Sequence, residues 1–193
     1  MTAIVLNLKP LIELNDDQFE QLCRNHRDLN FERTAKGELV IVSPVGSEGG
    51  SREAGLIGRL FVWNEQTRLG IVFSSSSGFR LPNGAIRSPD AAWVSIDRWE
   101  NLTPDERKKF APLCPDFAIE LRSETDEITD LQQKMQEYLD NGLRLGWLIN
   151  PQDQQVEIYR VGRSKQVCDR PLKLNGEDVL PGFVLDISTI WEA

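Results

Sequence analysis

The chain is poor in the residues that usually carry nucleophilic or thiolate-metal chemistry. Among its 193 residues it has one histidine, His26, and three widely spaced cysteines, Cys23, Cys114 and Cys168. The cysteines form no CxxC pair, so the sequence supports neither a disulfide framework nor a structural zinc site, and we expect buried free thiols. Because no GxSxG nucleophile elbow accompanies His26, a Ser-His-Asp or Cys-His mechanism is disfavoured as well.

Long apolar runs and an excess of positive charge are also missing. No stretch approaches the ~20 apolar residues that cross a bilayer, and the N-terminal segment lacks the pattern of a secretory signal, so we expect a cytoplasmic protein. The 22 basic and 30 acidic residues leave a net charge of −8, which disfavours broad, charge-driven DNA binding. A nuclease is not excluded, because nuclease sites are themselves acidic and basic residues can cluster locally.

What is present indicates one α/β domain over residues 1–193. The hydrophobic content of 40% and the charged content of 27% are typical of a globular protein. Capping, turn and periodicity patterns predict helices over residues 14–22, 46–67 and 127–141, a hairpin over 29–44, and strands over 70–73, 85–95, 117–121, 145–149 and 155–161. The succession strand, helix, strand over residues 117–149 predicts a parallel crossover, and hence a mixed β-sheet flanked by helices with an N-terminal β-hairpin.

Two carboxylates stand inside apolar strand patterns, where a charge is costly. Glu120 lies within the apolar run 117–121, and Asp90 follows Pro89 and leads into another apolar run. A buried carboxylate destabilises the fold unless it is paired or binds a cation. If the two strands are neighbours, Asp90 and Glu120 bring oxygens within ~5 Å, and a divalent cation between them offsets their repulsion. Oxygen-only ligation with room for water favours Mg²⁺ or Mn²⁺.

A lysine on the following helix is the third candidate. Lys134 lies roughly 90° from the centre of the apolar face of the helix over 127–141, which Gly142 is expected to end. From that position an ammonium group can reach the end of the sheet, orient the attacking water and stabilise charge on a phosphate. The alternative is a solvated lysine in an i, i+4 pair with Asp130. Only together with Asp90 and Glu120 does Lys134 indicate a site.

Three further charged residues are candidates for supporting roles. Glu53 projects onto the apolar face of the helix over 46–67, where it lines the metal site or simply stabilises the positive helix end. Glu48, one turn earlier, is the alternative to Glu53. Strand alternation places Arg122 on the same face as Glu120.

Several ordered motifs resemble a known family. They are SPD at residues 88–90, PDFAIELRSETD at 115–126, the spaced Lys134 and Tyr138, and NGLRLGWLINPQDQQVEIYR at 141–160. This set resembles the Uma-type family of restriction endonucleases, which is abundant in cyanobacteria and has the PD-(D/E)-x-K nuclease fold. The resemblance covers nearly the whole chain, from Leu14 to Trp191.

The resemblance implies a restriction-endonuclease-like α/β fold and a role for each motif residue. Asp90 corresponds to the motif aspartate and Glu120 to the acidic residue of the D/E-x-K element. Arg122 stands where the lysine is expected, and the resemblance implies that the lysine has moved to the following helix, as Lys134. Arg122 cannot replace a lysine as a proton acceptor, since a guanidinium stays charged near neutral pH.

The sequence therefore predicts a Mg²⁺- or Mn²⁺-dependent endonuclease acting on DNA. Asp90 and Glu120 hold the metal, Lys134 positions or activates water, and Glu53 and Arg122 support the site. A homodimer is expected by analogy with other nucleases of this fold. Two alternatives stay open: a catalytically inactive module that binds protein or nucleic acid, and a phosphodiesterase acting on RNA or small nucleotides. The hypothesis requires that the two carboxylates and the lysine converge.

Overall fold

The protein is described here by a computed structural model covering residues 3–191. The helices are α1 (Asp16–Asn25), α2 (Ser47–Thr67), α3 (Ile96–Glu100), α4 (Pro104–Arg107), α5 (Ile128–Asp140) and α6 (Ser188–Trp191). The strands are β1 (Ile4–Leu6), β2 (Asn30–Arg33), β3 (Leu39–Val42), β4 (Gly70–Ser74), β5 (Phe79–Arg80), β6 (Ile86–Arg87), β7 (Ala91–Ser95), β8 (Phe117–Leu121), β9 (Leu145–Asn150), β10 (Gln155–Arg160), β11 (Gln166–Asp169), β12 (Lys173–Asn175) and β13 (Val184–Asp186).

A mixed six-stranded sheet forms the centre of the molecule, in the order β11-β10-β9-β8-β7-β4. Strands β8 and β9 are parallel and are joined by α5, as the strand, helix, strand pattern predicts. The other neighbours in this sheet pair antiparallel. The predicted mixed α/β architecture is confirmed.

The N-terminal hairpin belongs to a second sheet of five strands, in the order β1-β3-β2-β6-β5. Strands β2 and β3 pair antiparallel, with Phe31 opposite Ile41. Gly37 lies in the turn at a φ of +84°, a conformation that glycine adopts at little steric cost. The predicted hairpin is therefore confirmed, and it is attached to the rest of the fold through β6.

The prediction of one continuous strand over residues 85–95 was wrong. The segment forms β6 in the five-stranded sheet and β7 in the six-stranded sheet, with residues 88–90 between them. Pro89 has no backbone N–H to donate to a ladder, so the pairing is interrupted there. The short segment 88–90 therefore connects the two sheets, and Asp90 is its last residue.

The central sheet is covered on both faces. On one face, Leu56, Leu60 and Trp63 of α2 pack with the C-terminal residues against the sheet. On the other face, Met135 and Tyr138 of α5 pack against it. Helix α5 approaches β9 closely: a Cβ built at Gly146 falls 2.4 Å from the Met135 Cε. Glycine is therefore the residue that lets α5 lie low over the sheet.

The helix ends follow from the local sequence. Helix α1 begins with an Asn15 capping box, in which the side chains of Asn15 and Gln18 satisfy each other's backbone N–H groups. Helix α5 is followed by Gly142 at a φ of +106°, as expected for the residue after a helix end. The three cysteines are free; Cys114 is buried, whereas Cys23 and Cys168 are half-buried. Within residues 3–191, the helices are all too short or too polar to cross a membrane.

Candidate active site

Asp90, the residue directly before β7, lies opposite Glu120 of the neighbouring strand β8. Ala91 of β7 pairs with Ile119 of β8 in antiparallel register, so the preceding Asp90 falls beside Glu120. The Asp90 Oδ2 accepts a hydrogen bond of 2.6 Å from the Leu121 N–H, which ties the aspartate to the end of β8. Ile119 packs against the opposite face of the sheet, as the predicted alternation requires.

Lys134 points from α5 onto the Glu120 carboxylate. Its Nζ lies 3.0 Å from the Glu120 Oε1 and donates to the Oε2 at 3.1 Å. The same Nζ donates to the Ser88 carbonyl at 3.3 Å, so it also contacts the segment that carries Asp90. In the described part of the chain, no ion pair joins Lys134 to Asp130. The structure thus brings Asp90, Glu120 and Lys134 together, as the sequence predicted.

Tyr138, one turn after Lys134 on α5, is a further contact of Glu120. Its hydroxyl donates to the Glu120 Oε1 at 3.0 Å, and the residue is completely buried. The sequence identified Tyr138 only as part of the family resemblance. The signal for its role is the i, i+4 spacing from Lys134, which puts both polar ends over the same strand.

Glu32 of β2 is a buried carboxylate that the sequence analysis did not identify. Its Oε1 lies 2.9 Å from the Lys134 Nζ and accepts from the Ser88 N–H at 2.9 Å. Its Oε2 accepts from Arg87 at 3.0 Å, and Arg87 in turn donates to Glu137 of α5 at 2.6 Å. The feature that could have identified Glu32 in the sequence is its charge at a hairpin position that pairs with the apolar Val40. The partner of Glu32 lies on a helix about a hundred positions later in the chain, and strand periodicity carries no information about that contact.

The charges around Asp90 make its ionised form unfavourable. Burial raises the pKa of Asp90 well above its usual value, and the nearby Glu120 and Glu53 carboxylates raise it further, while Lys134 acts in the opposite direction. Burial also raises the pKa of Glu120, although Lys134 partly offsets this effect. Both carboxyl groups are therefore more readily protonated than exposed ones.

Lys134 remains a cation. Burial alone would lower its pKa, but the neighbouring Glu120, Glu32 and Asp90 carboxylates outweigh burial and hold the pKa of Lys134 above its usual value. Its side chain is 16% exposed, against 3% for that of Glu120. Such a group donates hydrogen bonds and stabilises negative charge, but it does not accept a proton near neutral pH.

Of the two glutamates predicted as alternatives on α2, only one lies near the candidate site. Glu53 of α2 accepts a hydrogen bond from the Ser75 hydroxyl and is close enough to Asp90 to raise the pKa of that aspartate. Glu48 is exposed and pairs with Arg52 on the same helix. Of the two, Glu53 is the carboxylate near the candidate site.

Arg122 contacts a different part of the molecule. Its guanidinium donates to the Asp126 carbonyl at 3.1 Å and to the side chains of Asn150 and Asp153 at 3.3 Å. These contacts join the loop after β8 to the turn after β9. Among the described residues, no hydrogen bond or ion pair joins Arg122 to Asp90, Glu120 or Lys134.

The donor set fits a hydrated divalent cation held by few protein ligands. Asp90 and Glu120 offer carboxylate oxygens in a buried centre where carboxyl groups outnumber the nearby ammonium of Lys134. Within residues 3–191, no group of three or more acidic, histidine or cysteine side chains is arranged to hold a metal ion. The remaining ligands would then be water or phosphate oxygens, which is the usual situation for protein-bound Mg²⁺.

The comparisons with known proteins agree with this fold. One solved structure that resembles the chain is described as a putative nuclease belonging to DUF820 from Anabaena variabilis ATCC 29413; the TM-score is 0.71, the sequence identity is 19%, and the alignment covers 84% of this chain and 89% of that one. At this identity the likeness establishes the fold alone. No curated protein matches the sequence. The family model Uma2, described as "Putative restriction endonuclease", matches residues 16–188, and the chain therefore belongs to this family.

Proposed function

We propose that the protein is a metal-dependent endonuclease that hydrolyses DNA phosphodiester bonds at the centre formed by Asp90, Glu120 and Lys134. The observation that carries the proposal is the juxtaposition of Asp90, at the entry to β7, with Glu120 of the adjacent β8 and an ammonium group 3.0 Å from the Glu120 carboxylate. The family, whose description is that of a restriction endonuclease, supports a nuclease. Phosphodiester hydrolysis needs both the carboxylate pair, which would hold a cation, and the ammonium group, because a cation and fixed hydrogen-bond donors must offset the charge that develops on the phosphate.

In this proposal Asp90 and Glu120 hold Mg²⁺ or Mn²⁺. A cation bound there would supply Lewis-acid stabilisation of the phosphate oxygens in the transition state. Asp90 must be ionised to bind it, so the raised pKa of Asp90 favours a proton over the metal at low pH. The Leu121 N–H holds one Asp90 oxygen in place, which orients the carboxylate before the cation arrives.

Lys134 positions the attacking water and stabilises the developing negative charge. Because its pKa is raised, it acts as a hydrogen-bond donor and not as a base. Glu32 and Tyr138 position this machinery: Glu32 anchors the ammonium, and Tyr138 fixes the Glu120 carboxylate. Glu53 adds negative charge near Asp90, and Arg122 supports the site by holding the loop after β8.

DNA is the proposed substrate because the family is described as a restriction endonuclease. A phosphodiesterase acting on RNA or small nucleotides is distinguished from this proposal by a panel of these substrates. The homodimer and the cytoplasmic location also remain predictions. Light scattering on the purified protein tests the first, and fractionation of cells tests the second.

A catalytically inactive binding module is the second candidate function. It is favoured by the contacts that Glu120 already has: the Lys134 ammonium lies near both carboxylate oxygens, and the Tyr138 hydroxyl donates to Oε1. An internal ammonium that replaces the metal would leave a stable fold without catalysis. The two functions differ in one measurable property, which is cleavage in the presence of a divalent cation.

The test is cleavage of supercoiled plasmid DNA by wild-type protein and by Glu120→Gln, with Mg²⁺ or Mn²⁺ and with EDTA. We expect metal-dependent nicking by the wild type and a loss of at least ~10²-fold in the variant, because the glutamine keeps the shape but not the charge. Glu157→Gln is the matched control: Glu157 is also a buried strand carboxylate, and it contacts Tyr159 and Lys165.

The control separates chemistry from folding. If Glu157→Gln cleaves like the wild type while Glu120→Gln does not, the loss belongs to the proposed centre. Metal-dependent cleavage that survives Glu120→Gln would show that the site has been assigned to the wrong residues. A wild type that binds DNA but cleaves nothing under any of these conditions would favour the inactive module.

A further inference from the structure

A cleft lined by positive charge lies between α1, the loop from β4 to β5, and the segment after α4. Its volume is about 380 Å³. Five basic residues line it: Arg24, Arg27, Arg107, Lys108 and Lys109. We call this feature the basic cleft. It combines residues that are distant in sequence, so the composition of the chain does not reveal it.

The charge of the basic cleft is opposite to that of the whole molecule. It contains five of the 22 basic residues of the chain but only one of the 30 acidic ones, Glu20. A protein with a net charge of −8 repels a polyanion over most of its surface. A local positive surface is therefore the place where a polyanion meets the least repulsion.

Carboxylates within and beside the cleft neutralise only part of this charge. Glu20 pairs with Arg24 at 2.6 Å and with Lys109 at 3.4 Å. Lys109 also lies 3.7 Å from Asp17, and Lys108 lies 3.5 Å from Asp105. The side chains of these pairs are exposed except for that of Glu20, so an incoming phosphate group can replace the pairs with Asp17 and Asp105 at little cost.

Two of the arginines have no carboxylate partner among residues 3–191. No ion pair includes Arg27 or Arg107. Arg107 donates to the Glu100 carbonyl at 2.8 Å and lies over the ring of Trp99, 5.7 Å from its centroid, while its buried Nε has no hydrogen-bond partner. Charged donors that the protein leaves unneutralised are the groups that bind phosphate oxygens.

The basic cleft is connected to the candidate active site by a run of serines. Ser74, at the end of β4, pairs with Ala91, the residue after Asp90. Ser75 donates to Glu53, and Ser76 and Ser77 line the basic cleft. Two residues span at most ~7 Å, so Ser75 beside the site and Ser77 in the cleft are close in space. A nucleic-acid strand carries a phosphate on every nucleotide, at ~3.4 Å of helix axis per strand, so a strand bound at the site extends over the neighbouring loop.

We propose that the basic cleft binds the phosphate backbone of the nucleic-acid strand whose scissile bond lies at Asp90 and Glu120. The inference rests on the proposed nuclease function and adds where the substrate is held. Arg27, Arg107 and Lys108 contact phosphates on one side of the scissile bond. Serine hydroxyls of the loop donate to the phosphates between the cleft and the site. Because these contacts involve only the backbone, they carry affinity without sequence preference.

The experiment measures binding without cleavage. The protein carries Glu120→Gln and is kept in EDTA, and its affinity for a fluorescein-labelled DNA duplex is measured by anisotropy over a series of salt concentrations. Arg27→Gln with Lys108→Gln removes two exposed charges of the basic cleft. We expect the affinity to fall on the order of tenfold and the slope of log affinity against log salt to decrease by about 2.

The matched control is Arg163→Gln with Lys173→Gln. It removes the same pair of residue types from exposed positions, one in the turn after β10 and one in β12, neither of which lines the basic cleft. The control is expected to lower the affinity by less than about twofold, through the change in net charge alone. An equal loss in both double variants, or none in the cleft variant, overturns the inference.

The outcomes distinguish this inference from the nuclease proposal. If the wild type binds through the basic cleft and never cleaves, only the nuclease proposal fails. If the wild type cleaves, and the cleft variant keeps the KM and the affinity of the wild type, only the inference fails. Single-stranded DNA and RNA of the same sequence are measured in parallel; tighter binding of RNA through the same residues supports the basic cleft and changes the assigned substrate.

Discussion

At the scale of single residues, the ionised form of Asp90 is disfavoured by its surroundings but required for the proposed binding of a cation. Its carboxylate is held beside Glu120 and near Glu53, where burial and like charge raise its pKa. The same crowding makes the position attractive for a divalent cation. A residue that destabilises the metal-free protein is therefore placed where the proposed function needs it, as is common for functional sites.

The pH dependence of stability tests this conflict. A raised pKa means that folding favours the protonated form of Asp90, so its contribution to stability is present at low pH and is lost as the pH rises toward the folded-state pKa. The asparagine of Asp90→Asn cannot ionise, so the variant does not lose this stability as the pH rises. We expect the variant to melt above the wild type in EDTA by about 2–4 °C near pH 8, the shift that on the order of 1 kcal/mol produces in a chain of this size.

The comparison between two pH values makes the prediction specific. The difference in melting temperature between Asp90→Asn and the wild type should shrink when the pH falls from about 8 to about 5. The wild type, measured at both pH values, serves as the control because it reports the contribution of all other titratable groups. A variant that melts below the wild type at both pH values would show that the ionised Asp90 stabilises the fold.

Much of the candidate site at the residue scale was predictable from the sequence. Strand alternation identified the face of Glu120, and the helical angle placed Lys134 where it reaches that face. Glu32 was missed because its significance comes from a contact between two separate elements. The contacts of Arg122 were also not predictable: alternation indicates its face within β8, but the strand ends at Leu121 and the chain turns away.

At the scale of secondary-structure elements, the hairpin of β2 and β3 and helix α5 are joined through charge. Glu32 of the hairpin contacts Lys134 at 2.9 Å, and Arg87 connects Glu32 with Glu137 of α5. All four groups are largely buried, so each ion pair is poorly screened by solvent. The hairpin thus helps to hold Lys134 in place over the central sheet.

Glu32→Gln tests this link. The glutamine leaves Lys134 with one carboxylate fewer and Arg87 with a weaker acceptor, so we expect a loss of about 2 kcal/mol in the free energy of unfolding. If the proposed nuclease function holds, kcat should fall by about tenfold or more while the KM stays nearly unchanged, because the ammonium is misplaced and the substrate surface is not.

The control for this change is Glu38→Gln in the same hairpin. Glu38 accepts from the Thr34 hydroxyl at 3.0 Å and has no contact with Lys134 among the described residues. It is expected to leave kcat unchanged. Chemical denaturation gives the stability, and plasmid nicking gives the rate. A purely structural role for Glu32 would lower stability without a change in the kcat of the folded fraction.

The boundary between β6 and β7 explains why one element was predicted incorrectly. Residues 85–95 are mostly apolar or small apart from Arg87, Pro89 and Asp90, and we predicted a single strand there. The chain instead passes from one sheet to the other at Pro89, and the bend brings the Ser88 carbonyl to Lys134. Local pattern indicates extended structure, but it does not indicate which sheet each half joins.

At the scale of the whole molecule, the distribution of charge matters more than its sum. The centre around Asp90 has an excess of carboxylates, the basic cleft has an excess of cations, and the overall charge is −8. A cation at the first place and a polyanion at the second would each reduce an electrostatic imbalance of the fold. Both ligands should therefore stabilise the protein.

Thermal stability in the presence of Mg²⁺ or Mn²⁺ tests the cation part. A ligand that binds only the folded state at about 100 times its Kd adds about 2.7 kcal/mol, which corresponds to a rise of about 5–10 °C in Tm for a chain of this length. Asp90→Ala should abolish the rise. Ca²⁺ and K⁺ are measured beside them to separate specific binding from screening, and an equal rise in Asp90→Ala would place the cation elsewhere.

The sequence by itself determined the class of fold, the order of the main elements and the faces that carry Glu120 and Lys134. These properties follow from periodicity, capping and turn chemistry, which are local and are therefore written in neighbouring residues. Only the tertiary structure decided that Glu32 anchors Lys134, that Arg122 supports a different turn, and that five basic residues form one cleft. Each of these depends on which elements pack together, and packing joins residues whose separation along the chain leaves no periodic trace.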